Sequence, residues 1–187
     1  MKKIVLLVVA IGLGLGGFAQ NFVEEFEKRY ADEENFTTVN ISAKMFKLIA
    51  AVAEVSAEQK GQLKVEIDGE EADLFQTISK LTGMKVLSAK KDGEKYYEAA
   101  VAALSKNRSA YEELMSVKEG KEWVRGYVRE ENGRIPELVM VIWKPKEFTL
   151  IGFTGDIDLK EISKVGKMVN VKGAEQLEKI DTTRLNK

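Results

Sequence analysis

Apolar positions along this chain follow three rhythms. They run without charge from Ile4 to Leu15, recur mostly at helical spacing from Phe22 to Leu104, and gather into short strand-like runs from Tyr111 to Thr154. In the middle stretch, Phe22, Val23, Phe26 and Tyr30 predict an amphipathic helix from Asn21 to about Asp32. Phe36 to Ile41 reads as a strand. Ser42 is placed to cap a second helix, where Met45, Leu48, Ile49 and Val52 form one core-facing stripe. The polar stretch from Ser56 to Gly69 reads as a loop, although Leu63, Val65 and Ile67 alternate as a short strand would. From Glu70, the residues Leu74, Phe75, Ile78 and Leu81 predict a further helix stopped at Gly83. Met84 to Ala89 is then a strand, Asp92 and Gly93 a turn, and Tyr97, Ala100, Val101 and Leu104 a helix ending near Asn107.

Four strand-like runs follow: Tyr111 to Val117, Glu122 to Arg129, Ile135 to Lys144, and Phe148 to Thr154. Asn132-Gly133 is the strongest turn signal, since both residues tolerate the positive φ angles of a two-residue hairpin. Asp158 and Glu161 form a capping-box pattern before Ile162 and Val165. The predicted class is α+β, an antiparallel β-meander with amphipathic helices on one face, with a tail that frays from about residue 171.

The opening run changes the domain count. Lys2 and Lys3, an apolar stretch too short to span a membrane, and small residues at Gly17 and Ala19 have the layout of a signal peptide cut after Ala19. The alternative is an uncleaved anchor. Cleavage leaves residues 20–187 as a single domain, with no permanent membrane span, exported to the periplasm or cell envelope. It also lowers the basic count from 29 to 27 against 30 acidic residues, a net charge of about −3. That balance argues against a nucleic-acid partner.

Several motifs resemble the family known as domain of unknown function 4252 (DUF4252), exported bacterial envelope proteins found chiefly in Bacteroides relatives. They are Met45-Phe46-Lys47-Leu48, Tyr111-Glu112-Glu113-Leu114-Met115, Ile135-Pro136-Glu137-Leu138-Val139, Phe148-Thr149-Leu150-Ile151-Gly152, and Gly155-Asp156-Ile157-Asp158-Leu159. The resemblance implies export and a compact α+β domain. It supplies no functional residues. Some members are lipoproteins, a subgroup from which this cysteine-free chain departs.

With no histidine and no cysteine, the chain lacks the commonest general base and the soft metal ligands. No cofactor is expected. Gly152 to Gly155 lack the Lys and Ser/Thr of a phosphate loop, and Asp156 and Asp158 read as turn and capping residues rather than cation ligands. Glu112-Glu113 and Glu24-Glu25 read as solvated charges.

Two function classes remain. One is a non-catalytic binding or assembly module, of which a structural envelope component is a variant with a permanent partner. The alternative is a hydrolase-type enzyme using carboxylates, Lys or Tyr without His, Cys or metal. The first is favoured by the residues on the meander. Simple pairing across Asn132-Gly133 sets Trp123, Arg125 and Tyr127 on one face with Leu138, Met140 and Ile142. This mixture suits a homodimer or another protein partner. Val124, Gly126, Val128, Val139, Val141, Phe148, Leu150 and Gly152 would then form the floor for the helices. If instead the chain's own ends cover the first face, it is core.

Overall fold

The computed structural model of the protein describes residues 21–30, 32–49, 51, 65–67, 70–72 and 79–168. The expected signal segment and the tail beyond residue 168 lie outside them.

Helix α1 (Phe22–Arg29) starts where expected, with the Asn21 side chain accepting from the Glu24 N–H at 2.9 Å. Strand β1 (Phe36–Ser42) runs directly into helical residues 43–49, at whose start the Met45 N–H donates to Ser42 Oγ. The short strands β2 (Val65–Ile67) and β3 (Glu70–Ala72) pair with each other as a separate two-stranded sheet. Strand β4 (Leu81–Ala89), helix α2 (Gly93–Lys106) and the meander β5 (Glu112–Glu119), β6 (Glu122–Glu131), β7 (Arg134–Lys144) and β8 (Glu147–Gly155) follow. Helix α3 (Leu159–Met168) closes the described chain, with Asp158 Oδ1 accepting from the Lys160 and Glu161 N–H groups.

The main sheet has six antiparallel strands in the order β1-β4-β8-β7-β6-β5, so the meander is extended by β4 and β1 beyond β8. Helices α1 and α2 lie on one face. There Phe22, Val23, Phe26, Tyr96, Ala100 and Leu104 bury against Leu87, Tyr127, Val139, Val141, Phe148 and Leu150. The other face carries Met115, Val124, Val128, Leu138, Met140 and Ile151, in one cluster with Phe46, Leu159 and Ile162. The inner strands β6, β7 and β8 thus bury residues on both sides, whereas the edge strand β1 buries none.

Four local expectations are corrected. The polar stretch read as a loop contains β2, as the alternation of Val65 and Ile67 allowed. Glu70–Ala72 is a strand and not a helix start, and Leu81 and Gly83 lie inside β4, where Gly83 pairs with Ser42 and Thr154. The Met45, Leu48 and Ile49 stripe is exposed rather than core; in this helix Phe46 is the buried residue. Val52 lies outside the described residues.

The fourth correction concerns hairpin register. Asn132 and Gly133 have the φ angles of 54° and 74° that the turn requires, and Glu131 does oppose Arg134. The ladder then slips: Ile135 and Pro136 together oppose Glu130, and Arg129 meets Glu137 instead of Pro136. Pro136 has no N–H for a ladder hydrogen bond, which is why proline within a sheet sits at such a bulge. Tyr127 consequently pairs with Val139, Arg125 with Val141 and Trp123 with Trp143.

Candidate functional site

The slip divides the six nominated residues between two faces. Trp123, Arg125 and Tyr127 lie on the face covered by α1 and α2, whereas Leu138, Met140 and Ile142 lie on the other, so no single surface contains them all. Tyr127 is buried beneath the helices, and burial pushes its hydroxyl up to about 12. Arg125 donates from Nε to the Tyr97 hydroxyl of α2 at 3.1 Å, and its Nη1 is 3.1 Å from Glu113 Oε2. Its guanidinium lies 5.7 Å from the centre of the Trp123 ring, which Lys118 also approaches at 4.7 Å. Leu138 and Met140 are buried and Ile142 is half-buried.

Beside this face stands a cluster that the strand pattern did not single out. Glu137 has no exposed surface, yet it accepts from the Phe22 N–H at 2.8 Å, the Tyr111 hydroxyl at 2.8 Å and Arg129 Nε at 3.3 Å. Burial pushes its carboxyl pKa up, against the pull of the Tyr111 hydroxyl, the Phe22 N–H and Arg129. Burial and the adjacent carboxylate push the Tyr111 hydroxyl up as well. Arg129 also pairs with Glu131. The available signal was Glu137 itself, an acidic residue within the apolar run from Ile135 to Ile142. An acid at such a position needs partners.

Chemically, this cluster is an anchor. It satisfies the first N–H of α1 and ties that helix to β7 and to the start of β5, and its carboxylate has no exposed surface. A second tie joins Glu33 to Tyr96 and Lys95 of α2, at 2.5 and 3.0 Å. The Tyr96 hydrogen bond, then that from Lys95, lowers the Glu33 pKa, and Glu33 raises that of Lys95. Lys85 and Glu27, 2.6 Å apart, pin α1 to β4. A cleft of about 370 Å³ between the end of α2 and β5 is lined by Leu104, Ser105, Arg108, Tyr111, Glu113 and Tyr127. Tyr111 and Glu113 are already engaged there, by Glu137 and Arg125.

The exposed apolar groups lie elsewhere. Val39 on β1 is 49% exposed, and Met45, Leu48 and Ile49 just beyond it are 49%, 52% and 42% exposed. Among the described residues β1 is an edge strand with β4 as its single ladder partner, and it carries no charged residue. The opposite edge, β5, carries Glu112, Glu113, Lys118 and Glu119 and is kinked by a bulge at Leu114. Charge and bulging discourage edge pairing, so β1 is the edge left open to it.

The sequence model of the domain of unknown function DUF4252 matches residues 30–165, well over half of the chain. The chain belongs to the DUF4252 family. No curated protein matches it. The DUF4252 span takes in β1, the exposed helical stripe, Tyr111, Arg129 and Glu137, whereas Phe22, whose N–H Glu137 holds, precedes it. Among the described residues of this DUF4252 protein, no helix is long and apolar enough to cross a membrane.

Proposed function

We propose that this protein is an exported, non-catalytic binding or assembly module of the bacterial envelope, and that it makes contact through the β1 edge and the helical stripe that follows. The observation that carries this reading is the exposed, uncharged edge strand Phe36–Ser42 leading into exposed Met45, Leu48 and Ile49. Strand addition to an open edge gives affinity through main-chain hydrogen bonds, and neighbouring apolar side chains add selectivity. The ionic clusters support the same reading, because Glu137 and Arg125 are committed to holding α1 and α2 on the sheet and Glu33 to tying α2 to the segment before β1. Lys2, Lys3 and the apolar run to Leu15 support export.

The test is photo-crosslinking in cells producing the full chain, with the reactive side chain at position 39 or, as control, at exposed position 121. Discrete adducts at 39 and none at 121 are expected, together with a mature mass that begins at Gln20. Absence of adducts at 39 rejects the contact surface, and an intact N-terminus rejects cleavage.

A further inference from the structure

An open edge strand accepts any compatible strand, so its flanking charges decide which one fits. Immediately before β1 come Asp32, Glu33 and Glu34; immediately after it come Lys44 and Lys47. Glu33 is turned to Lys95 and Tyr96, while Glu34 and Lys44 are exposed. The strand between them is seven residues long, without charge, proline or bulge, and its register against β4 is unbroken from Phe36↔Ala89 to Ser42↔Gly83. It is acidic at one end, basic at the other and neutral between.

We propose that the occupant of this edge is a second copy of the chain, its β1 running antiparallel to the first about a two-fold axis at Val39. This rests on the contact surface proposed above and names its partner. In that register Val39 meets Val39, Thr38 meets Asn40, Thr37 meets Ile41 and Phe36 meets Ser42 of the other copy. No charge is buried at the ladder. Glu34 of each copy lies where Lys44 of the other leaves the strand, and the symmetry makes this attraction twice. A parallel copy would set Glu34 beside Glu34 and Lys44 beside Lys44, so the charges select the antiparallel arrangement. The two-fold contact is isologous and closes on itself. It joins two six-stranded sheets into one and covers the edge that would otherwise template further pairing.

The absence of cysteine allows a direct test on the full chain. At the axis, the two copies of residue 39 have Cα atoms about 4.5–5.5 Å apart, within reach of a disulfide. Val39→Cys is therefore expected to form a covalent dimer under mild oxidation far faster than Lys121→Cys, and the unmodified chain to sediment as a dimer. Glu34→Lys and Lys44→Glu, each opposing like charges twice, are expected to weaken the dimer roughly tenfold. The double exchange Glu34→Lys with Lys44→Glu is expected to restore it. A monomeric chain whose Val39→Cys variant links no faster than the control overturns self-pairing, and a double exchange as weak as the single variants overturns this register. Position-39 adducts that contain a different protein, on a chain that is itself monomeric, overturn self-pairing but leave the binding-module reading standing. No adduct of any kind removes both.

Discussion

The two faces of the main sheet are buried by different means. Beneath α1 and α2 the contacts are aromatic and directional: Phe26 lies 5.7 Å from Phe148, Phe36 stands edge-on to Tyr96 at 4.6 Å, and Glu137, Glu33 and Lys85 tie the helices down. The opposite face is held by Met115, Val124, Leu138, Met140 and Ile151, and no charged group is fully buried there among the described residues. Apolar burial is non-directional and tolerates repacking, whereas a buried carboxylate with three donors fixes one geometry. The first face therefore specifies where the helices sit, and the second supplies volume. The experiments that separate these roles are those that remove the pins or crowd each face in turn.

The largest effect is expected from Glu137→Ala. It takes the acceptor away from the Tyr111 hydroxyl and the Phe22 N–H at a buried position and leaves Arg129 with Glu131, and losing one partner of a buried ionic cluster costs about 3–5 kcal/mol. Urea unfolding measures it. Glu137→Gln keeps an acceptor for Phe22 and removes the titration. Burial places the folded-state pKa of Glu137 above its ordinary value of 4.5, so protonation favours the folded chain. The stabilising contribution is complete below about 4.5 and is lost as pH rises through the raised folded value. The stability of the unmodified chain relative to Glu137→Gln is expected to fall across that window. Glu33 has the opposite sign: its pKa is lowered, so its contribution is present above 4.5 and is lost as pH falls through the folded value. A relative stability that rises with pH would reverse the assignment for Glu137.

A smaller effect comes from adding one methyl group to each face. At Gly152 a Cβ would lie 2.4 Å from Val23 Cγ2, and β-branched Val23 on a pinned helix has little freedom to give way. Gly152→Ala is expected to cost about 1–3 kcal/mol. At Gly126, on the opposite face, a Cβ would meet Met115 Cγ at 2.8 Å and Met140 Sδ at 3.3 Å. Thioether chains bend aside, and alanine suits a strand interior better than glycine, so Gly126→Ala is expected to stay within about 1 kcal/mol of neutral. Equal losses at the two sites, by thermal or urea unfolding, would dissolve the contrast between the faces.

How far the sequence carried these conclusions depended on whether a signal was local. The helices over Asn21 and Tyr97, the Asn132-Gly133 turn and the Asp158 cap are written in neighbouring residues, and each forms as expected. The meander was legible for the same reason, and the family match agrees with the motifs that suggested it. The interaction face was not legible. One extra residue at Ile135-Pro136 moves every later pair on β7 to the other side relative to β6, and alternation alone carries no information about such a slip. Pro136 was the warning. Helical spacing of Met45, Leu48 and Ile49 likewise marks an amphipathic helix without saying whether its apolar stripe meets the same chain or another. Leu74, Phe75 and Ile78 lie outside the described residues, whereas Glu70–Ala72, read as the start of the same helix, is a strand.

The smallest expected effect tests whether the pins on the helix face act together. Two of the orphan N–H groups of α1 have side-chain acceptors: Phe22 uses distant Glu137, and Glu24 uses its neighbour Asn21. Asn21→Ala removes the local one, which costs about 1 kcal/mol at an N-cap. Both acceptors fix the same helical turn, so their energies need not add. Once Glu137 has gone, that turn is free to fray and the Asn21 cap has less ordered backbone to hold. Adding Asn21→Ala to Glu137→Ala is therefore expected to cost less than Asn21→Ala alone, by about 0.5 kcal/mol or more in a double-mutant cycle. Strict additivity would mean that Val23 and Phe26, through their packing on Gly152 and Phe148, hold the first turn of α1 without help from the buried carboxylate.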